Sequence, residues 1–437
     1  MMKFDRVASP ARPALTATLM SLLGMSFASP ATSEQGALIG ESSLGQAALV
    51  QSSPPGVALG EKGAAAQAKV LETYLIGPQS ASQLGCQIAW QSFAQLGDGG
   101  SLKMVASSAE AILAMSNRNG LTLLRPETGD RAWTTSAADP RDKIIGLGVF
   151  PFIGREDTVR VGVMTDADFY TLGFDSGATI ARSRYKHAPS TPPAHVGKWF
   201  IYGTNSGHVS WFNAATGNDS RAHLVNAVRG GGAVTACPAV VGDTVVAGDR
   251  DGGVVALGTT RGDFRWKKEL LAGVSASPAI GPSAAFVASE DQYLYAFDLG
   301  TGATLWKYFT QTPLTTSPFV AGELVLQDVP GEGLVALTQN PESQPGGEVR
   351  WKRERVMGTP ITIVDNAAAF WCAKCRKVTL VALKDGSILR EVSLPSVENL
   401  EADTIEEGGF LAWSADGRIE RLSPRTKTGA ATATAAK

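Results

Sequence analysis

Residues 296–306 read AFDLGTGATLW, with a short apolar strand, a turn that contains Gly302 and a second strand that ends at Trp306. Glycine supplies the positive φ that a tight hairpin turn requires. Two short apolar runs on either side of such a turn predict an antiparallel hairpin. The recurrence of this hairpin along the chain determines the fold.

The strand that precedes this turn, residues 291–297 (DQYLYAF), has eight copies in the chain, spaced roughly 40–50 residues apart. Four strands of about five residues, together with their turns, need about that length. The sequence therefore predicts an all-β fold, an eight-bladed β-propeller of four-stranded antiparallel blades. The other copies begin at Asn119, Asp168, Ser206, Asp251, Glu332, Lys377 and Asp416.

A tryptophan ends the strand after the turn in several units. A large flat ring at the same point of each unit is expected to wedge between neighbouring blades, where it buries much apolar area. Ala181 and Arg221 stand at this point in the second and third units, and in the seventh unit Val392 follows Arg390 after a short turn. The repeat tryptophans are Trp90, Trp133, Trp266, Trp306 and Trp351.

The eighth copy has no fourth strand of its own, because Leu422 is followed by Ser423-Pro424 and a Thr/Ala-rich tail. Residues 86–93 (CQIAWQSF) lie before the first unit and have the pattern of a strand with a tryptophan. Pairing of this N-terminal strand with the last blade closes the ring and removes two exposed edges. The alternative is that residues 86–93 extend a helix in the preceding linker.

The N-terminus has the pattern of an export signal. Basic residues precede an apolar stretch at residues 14–27, which is too short to span a bilayer, and small residues follow it. We therefore expect an exported protein of the periplasm or cell envelope that is not transmembrane. The predicted domains are a signal peptide (1–31), a low-complexity linker with a short helix near residues 61–75 (32–85), the propeller (86–425) and a disordered tail (426–437).

The repeat resembles the tryptophan-docking repeat of PQQ-like β-propellers. The pattern Ala-x-Asp-x-x-Thr-Gly-x-x-x-Trp is carried by Ala296, Asp298, Thr301, Gly302 and Trp306. This superfamily contains quinoprotein alcohol dehydrogenases and the non-enzymatic outer-membrane assembly factor of the BamB type. The resemblance covers residues 86–425 and says little about activity.

Cys372 and Cys375 are expected at the tip of a hairpin between the second and third strands of their unit. Cysteines at the ends of a four-residue turn lie close enough to bond, and in an exported protein a disulfide is the expected state. A thioredoxin-like redox pair remains an alternative, although no helix is predicted to activate it. A zinc site is a weaker alternative, since the sequence has no second pair of closely spaced cysteines to complete it. Cys86 and Cys237 are expected to be free thiols on opposite sides of the ring.

The composition excludes some functional classes. A net charge of −2 gives no footprint for nucleic-acid binding, and the four histidines are dispersed along the sequence. The resemblance would imply, for a dehydrogenase, adjacent cysteines, a calcium site and an Asp base, but the chain has no Cys-Cys dipeptide. We therefore predict no cofactor, no metal and no catalytic residues. Three tryptophans could still approach such a site, Trp199, Trp371 and Trp413, but we interpret them as packing residues of apolar strands. An acidic run could bind Ca²⁺, but we interpret it as a solvated loop; its members are Glu398, Glu401, Asp403, Glu406 and Glu407.

The favoured function is a non-catalytic envelope scaffold, a monomer that binds other envelope or exported proteins. By the resemblance, the partner would be an assembly machine for outer-membrane proteins. The alternative is a PQQ-dependent oxidoreductase with a degenerate site. Binding of a saccharide in the central funnel is a third idea that rests on architecture alone.

Overall fold

The chain folds into eight four-stranded sheets, and every neighbouring pair of strands within a sheet is antiparallel. The structure, a computed structural model, describes residues 73–152, 159–226, 231–339 and 346–425. Seven sheets are formed by four strands that follow each other in sequence, and the eighth combines the last three strands with the first. The predicted all-β, eight-bladed propeller is confirmed.

The first four blades follow one another along the chain. Blade 1 contains β2 (Leu102–Ser107), β3 (Ile112–Ser116), β4 (Gly120–Leu124) and β5 (Arg131–Ser136). Blade 2 contains β6 (Ile144–Pro151), β7 (Val159–Thr165), β8 (Asp168–Gly173) and β9 (Thr179–Arg184). Blade 3 contains β10 (Ala194–Val196), β11 (Trp199–Gly203), β12 (His208–Asn213) and β13 (Asn218–Leu224). Blade 4 contains β14 (Ala239–Val241), β15 (Thr244–Gly248), β16 (Gly253–Gly258) and β17 (Phe264–Glu269).

The remaining blades include one whose strands are remote in sequence. Blade 5 contains β18 (Ala279–Ile280), β19 (Ala284–Ala288), β20 (Tyr293–Asp298) and β21 (Thr304–Phe309). Blade 6 contains β22 (Phe319–Ala321), β23 (Leu324–Val329), β24 (Gly333–Thr338) and β25 (Val349–Arg353). Blade 7 contains β26 (Thr359–Val364), β27 (Ala367–Cys372), β28 (Lys377–Ala382) and β29 (Ile388–Ser393). Blade 8 contains β30 (Asn399–Ala402), β31 (Phe410–Trp413), β32 (Arg418–Pro424) and β1 (Cys86–Phe93), and one helix, α1 (Pro78–Gln83), precedes it.

The position of a strand within its blade explains its composition. The first strands of successive blades contact each other, which places them around the axis and the fourth strands at the rim. The second and third strands are covered on both faces by neighbouring blades, so β16 (GVVALG) is an apolar run that is buried throughout. The fourth strands are mostly exposed or half-buried, as in β17 (FRWKKE), where only Trp266 is buried. The core is therefore a ring of apolar layers between blades.

The N-terminal strand closes the ring as predicted. β1 pairs antiparallel with β32, and the register runs from Cys86 opposite Pro424 to Phe93 opposite Arg418. A bulge between Ile88 and Trp90 brings Trp90 opposite Arg421. This pairing supplies the fourth strand of blade 8 and excludes the alternative of a helix over residues 86–93.

The segment before the closing strand packs on the ring, in contrast to the linker predicted up to residue 85. Leu75 and Ile76 are each 1% exposed and belong to the apolar cluster between blades 7 and 8. Their backbone N–H groups donate to Glu420 Oε2 at 3.0 and 3.1 Å. Apolar side chains in an otherwise Ala/Gly/Ser-rich stretch thus pack part of the predicted linker on the ring. The predicted signal peptide, most of the linker with most of its predicted helix, and the tail lie outside the described residues.

No helix within residues 73–152, 159–226, 231–339 and 346–425 is long and apolar enough to cross a membrane.

Candidate functional site

Each repeat tryptophan joins its blade to the next one through a hydrogen bond. The indole N–H donates to a backbone carbonyl in the turn between the third and fourth strands of the following blade. Because the ring is also packed against that turn, the contact combines apolar burial with a satisfied donor. The pairs are Trp90 with Pro126 at 2.9 Å, Trp133 with Phe174 at 2.6 Å, Trp266 with Leu299 at 3.0 Å, Trp351 with Leu383 at 2.8 Å, and Trp306 with Gln339.

The glycine of the repeat lies directly beneath the tryptophan ring. Gly302 has a φ of +71°, and a Cβ built there would come within 2.7 Å of the Trp266 ring. The turn geometry and the close approach therefore both require glycine. The Thr-Gly pattern in the sequence thus marks the receiving side of each blade junction.

Blade 3 uses a different tryptophan. Arg221 lies opposite Trp211, at the position where blades 1, 4, 5, 6 and 8 have the repeat tryptophan, as predicted. Trp211, on the neighbouring strand β12, donates its indole N–H to the carbonyl of Thr259 at 2.9 Å. The Arg221 side chain lies over Gly262, with its Cδ 2.5 Å from the position a Cβ would take. In blade 3, Trp211 therefore supplies the indole hydrogen bond, and Arg221 covers the turn glycine.

The junction between blades 2 and 3 uses no indole. Ala181 holds the tryptophan position opposite Thr171, and the Ser183 hydroxyl lies nearest to Gly217. An aromatic cluster fills the space instead, with Phe169 and Phe200 in edge-to-face contact at 4.8 Å. The buried aromatic members of this cluster are Phe150, Phe169, Phe200, Tyr202 and Phe212.

The junction between blades 7 and 8 involves the N-terminal segment. Arg390, and not the following Val392, occupies the tryptophan position, opposite Leu380. Its guanidinium donates to the carbonyl of Gln83, at the end of α1, at 2.5 Å. The N-terminal segment therefore replaces the turn that blade 8 lacks, because β32 and β1 are remote in sequence.

One face of the disc is held by backbone hydrogen bonds. In an antiparallel blade, the turn between the second and third strands and the connection to the next blade lie at the same end, and we call this end the hairpin face. The first residue after the fourth strand donates its N–H to the turn of its own blade in six blades, and in blade 8 this pair is Ala94 with Gly417. The other five pairs follow the same pattern and are Ala137 with Asn119, Val225 with Gly207, Leu270 with Gly252, Thr310 with Gln292, and Leu394 with Arg376.

Large apolar side chains are exposed on the hairpin face of three successive blades. Leu271, after β17, is 83% exposed, and Met357, after β25, is 58% exposed. Phe309 ends β21 and is 49% exposed, with its ring centroid 5.1 Å from that of Tyr293. We call Leu271, Phe309 and Met357 the apolar triplet. Exposed apolar groups on rigid loops are typical of a protein-binding surface.

Cys372 and Cys375 are joined by a disulfide in the structure, with the sulfurs 2.10 Å apart. They flank the turn between β27 and β28, on the hairpin face. The backbone N–H of Cys375 also donates to Cys372 Sγ at 3.1 Å. Cys372 is buried while Cys375 is exposed, and the described chain contains no helix at this turn. Cys86 and Cys237 are free.

The comparisons with known proteins agree with this architecture. A family model described as the outer membrane protein assembly factor BamB matches residues 201–354. The crystal structure of BamB from Moraxella catarrhalis is 21% identical, covers 76% of this chain and 97% of its own, and has a TM-score of 0.55. The chain is an eight-bladed β-propeller that resembles BamB, and the likeness in sequence to the BamB family lies in residues 201–354. A computationally designed protein, Ika8, is 14% identical, covers 76% of this chain and 99% of its own, and also has a TM-score of 0.55. No curated protein matches.

Among the described residues, those that were expected to approach a PQQ site do not form one. The chain has no adjacent cysteines, and in the described ranges no group of three or more His, Cys, Asp or Glu residues could hold a metal ion. Trp199, Trp371 and Trp413 are each no more than 8% exposed and belong to apolar clusters between blades. These three buried tryptophans therefore offer no open ring face to a quinone.

The acidic run of blade 8 is partly buried, in contrast to the solvated loop expected. Asp403 is 7% exposed and accepts a hydrogen bond from Arg421 Nε at 2.7 Å. Glu398 pairs with Arg376 at 2.8 Å. Arginine side chains therefore balance these carboxylates, and the sequence pattern alone did not show the arginines beside them.

Proposed function

We propose that the chain is a non-catalytic scaffold of the cell envelope that binds proteins through its hairpin face. The apolar triplet is the observation that carries the proposal. Three large apolar groups project from the same face of three successive blades, and backbone hydrogen bonds hold the connections of blades 4 and 5 in place. A preformed surface of this kind binds a partner with little ordering cost.

The partner class that we propose is a component of outer-membrane protein assembly. The similarity to BamB supports this class, and the BamB family model matches residues 201–354, which include Leu271 and Phe309. Export to the envelope is part of the proposal and rests on the N-terminal sequence pattern.

Site-specific photo-crosslinking in intact cells tests the proposal. A photoreactive residue at Leu271 or Met357 is expected to crosslink to an envelope protein of the outer-membrane assembly machinery. Val241, which is 45% exposed at the opposite end of β14, is the matched control. Equal crosslinking from Val241, or crosslinks only to proteins of other functions, would contradict the proposal.

A further inference from the structure

The disulfide between Cys372 and Cys375 lies at a turn of the hairpin face, and its two halves differ in exposure. Cys372 ends β27 and is 7% exposed. Cys375 is exposed, as are Ala373 and Lys374 between the two cysteines. Exchange of a disulfide begins when a thiolate reaches one of its sulfurs, so access helps to determine which sulfur is attacked. A thiolate that approaches this turn from solvent therefore meets Cys375 first.

A hydrogen bond prepares Cys372 to be the leaving group of such an attack. The backbone N–H of Cys375 donates to Cys372 Sγ at 3.1 Å. An N–H group aimed at a sulfur stabilises the negative charge that the sulfur acquires when its bond breaks, and a stabilised thiolate leaves faster. Helix N-termini supply this stabilisation at many reactive cysteines. In this turn, where the described chain has no helix, the second cysteine supplies it to the first.

The fold around the turn does not require the disulfide. The bond spans a sequence separation of 3, and a disulfide stabilises a protein less as the loop that it closes becomes shorter. Other contacts hold the same turn. Cys372 pairs with Lys377 in the β27–β28 ladder, and Arg376 accepts a backbone hydrogen bond from Leu394 and pairs with Glu398 at 2.8 Å. The oxidised and reduced forms are therefore both expected to stay folded.

The disulfide adjoins one member of the apolar triplet. Gly358, which follows Met357, has a φ of +106°. A Cβ built at Gly358 would lie 2.3 Å from the carbonyl oxygen of Trp371 and 2.7 Å from the backbone nitrogen of Cys372. The backbone beside Met357 therefore packs directly on the strand that carries the disulfide. A protein bound at Met357 would bring its own cysteines close to Cys375.

We propose that Cys372 and Cys375 form a thiol–disulfide exchange site whose substrate is a protein with two cysteine thiols. A thiolate of the substrate attacks Cys375 Sγ, a mixed disulfide forms, the Cys372–Cys375 bond breaks, and Cys372 leaves as a thiolate that takes up a proton. The second thiolate of the substrate then attacks the substrate sulfur of the mixed disulfide and releases Cys375, which also takes up a proton. The substrate loses two electrons and gains a disulfide, and the two cysteines are reduced to thiols.

The exchange goes beyond the proposed scaffold function and does not depend on it. A small thiol reacts at Cys375 without a docked partner, so the chemistry can be measured on the purified protein alone. Absence of crosslinks from Leu271 and Met357 would contradict the scaffold and leave the exchange site intact. Absence of exchange would leave the scaffold intact.

The rate of reduction by dithiothreitol in folded and in unfolded protein tests the proposal. The hydrogen bond to Cys372 Sγ exists only in the folded protein, so the disulfide is expected to be reduced at least about threefold faster there than in urea that unfolds the chain. A disulfide with only a structural role reacts faster when it is unfolded. Cys86 and Cys237 are internal controls, because burial raises the pKa of each thiol to about 12 and both should resist alkylation in the folded protein.

Two single variants identify the attacked sulfur. Cys372→Ser leaves the exposed Cys375 thiol, and Cys375→Ser leaves the buried Cys372 thiol. With oxidised glutathione, Cys372→Ser should form a mixed disulfide about tenfold faster, as measured by intact-mass spectrometry after an acid quench. Alkylation of Cys86 and Cys237 reports whether a variant has unfolded, and the unchanged protein then decides alone. Slower reduction in the folded protein than in urea, or equal rates in two folded variants, would overturn the proposal.

Discussion

Trp211 and Thr259 connect blades 3 and 4 by the same indole-to-carbonyl hydrogen bond that the repeat tryptophans form elsewhere, but from the neighbouring strand. Thr259 lies three residues before Gly262, as Leu299 lies three residues before Gly302. The receiving carbonyl is therefore unchanged, and only the donor has moved from β13 to β12. This relationship shows that the junction preserves the bond rather than the position of the tryptophan.

We expect Trp211→Phe to destabilise the protein more than Trp413→Phe does. Both side chains are buried and lose the same atoms, but Trp413 Nε1 has no hydrogen-bond partner among the described residues. The difference should be about 1 kcal/mol, the value of one buried hydrogen bond. Urea unfolding of the two variants measures it, and equal losses would show that the Thr259 bond contributes nothing.

Glu420 is expected to make stability depend on pH. Burial raises the pKa of Glu420 to about 7, and the donating N–H groups of Ile76 and Leu75 oppose this only in part. In the unfolded state this carboxyl has the ordinary glutamate pKa of 4.5 and releases its proton there. Between that pH and about 7 the folded state therefore holds more protons, so stability falls as the pH rises and levels off above about 7.

The variant Glu420→Gln should remove this dependence, because it is neutral at every pH. The free energy of unfolding of the variant minus that of the unchanged protein should be larger at pH 8 than at pH 5, by about 2–3 kcal/mol. Glu323→Gln, at an exposed position, controls for the loss of one charge. The same pH profile in Glu420→Gln and in the unchanged protein would contradict the assignment.

Shortened chains test the N-terminal segment. A chain that starts at Thr73 should unfold like the full protein, because it keeps Leu75, Ile76 and α1. A chain that starts at Cys86 should lose more than 2 kcal/mol, since it exposes an apolar cluster and leaves Glu420 buried without its two donors. Guanidinium unfolding compares them. Identical midpoints would mean that the segment is only a linker.

Replacement of both Cys372 and Cys375 by Ser should lower stability by about 2 kcal/mol at most, because the disulfide closes a very short loop. Thiol counting on denatured, unreduced protein should find two thiols, those of Cys86 and Cys237. Four thiols would contradict the disulfide.

We expect the purified protein to bind no PQQ and to oxidise no alcohol. Absorbance during titration with PQQ and Ca²⁺, followed by a dye-linked assay with a simple alcohol, measures both properties. A stoichiometric complex that reduces the dye would favour the oxidoreductase alternative over the scaffold.

The repeat made the fold predictable. Strand–turn–strand copies with Gly302-like turns and Trp306-like ends determine the number of blades, and the missing last strand pointed to residues 86–93. Periodicity detects what recurs at one sequence position, so it missed Trp211, whose bond is preserved although its position is not.

Contacts between distant segments escaped the sequence interpretation. His187, in a blade connection, stacks on His208, in the third copy of the repeat, and the period of the repeat does not indicate this contact. Leu75 and Ile76 lie in an Ala/Gly/Ser-rich stretch whose composition suggests a linker, although both side chains are buried on the ring and their N–H groups donate to Glu420. Such contacts depend on three-dimensional closeness, which local patterns do not encode.

The pairing of β1 with β32 also has a consequence for the time course of folding. Cys86 and Pro424 belong to the same blade, so the ring cannot be completed until nearly all of the described chain is available. A chain that crosses a membrane from its N-terminus would deliver β1 first and its partner last. During that interval the unpaired edges of β1 and of the last blade can pair with strands of other chains. Folding should therefore be slow, and the last step should be sensitive to chaperones that shield strand edges.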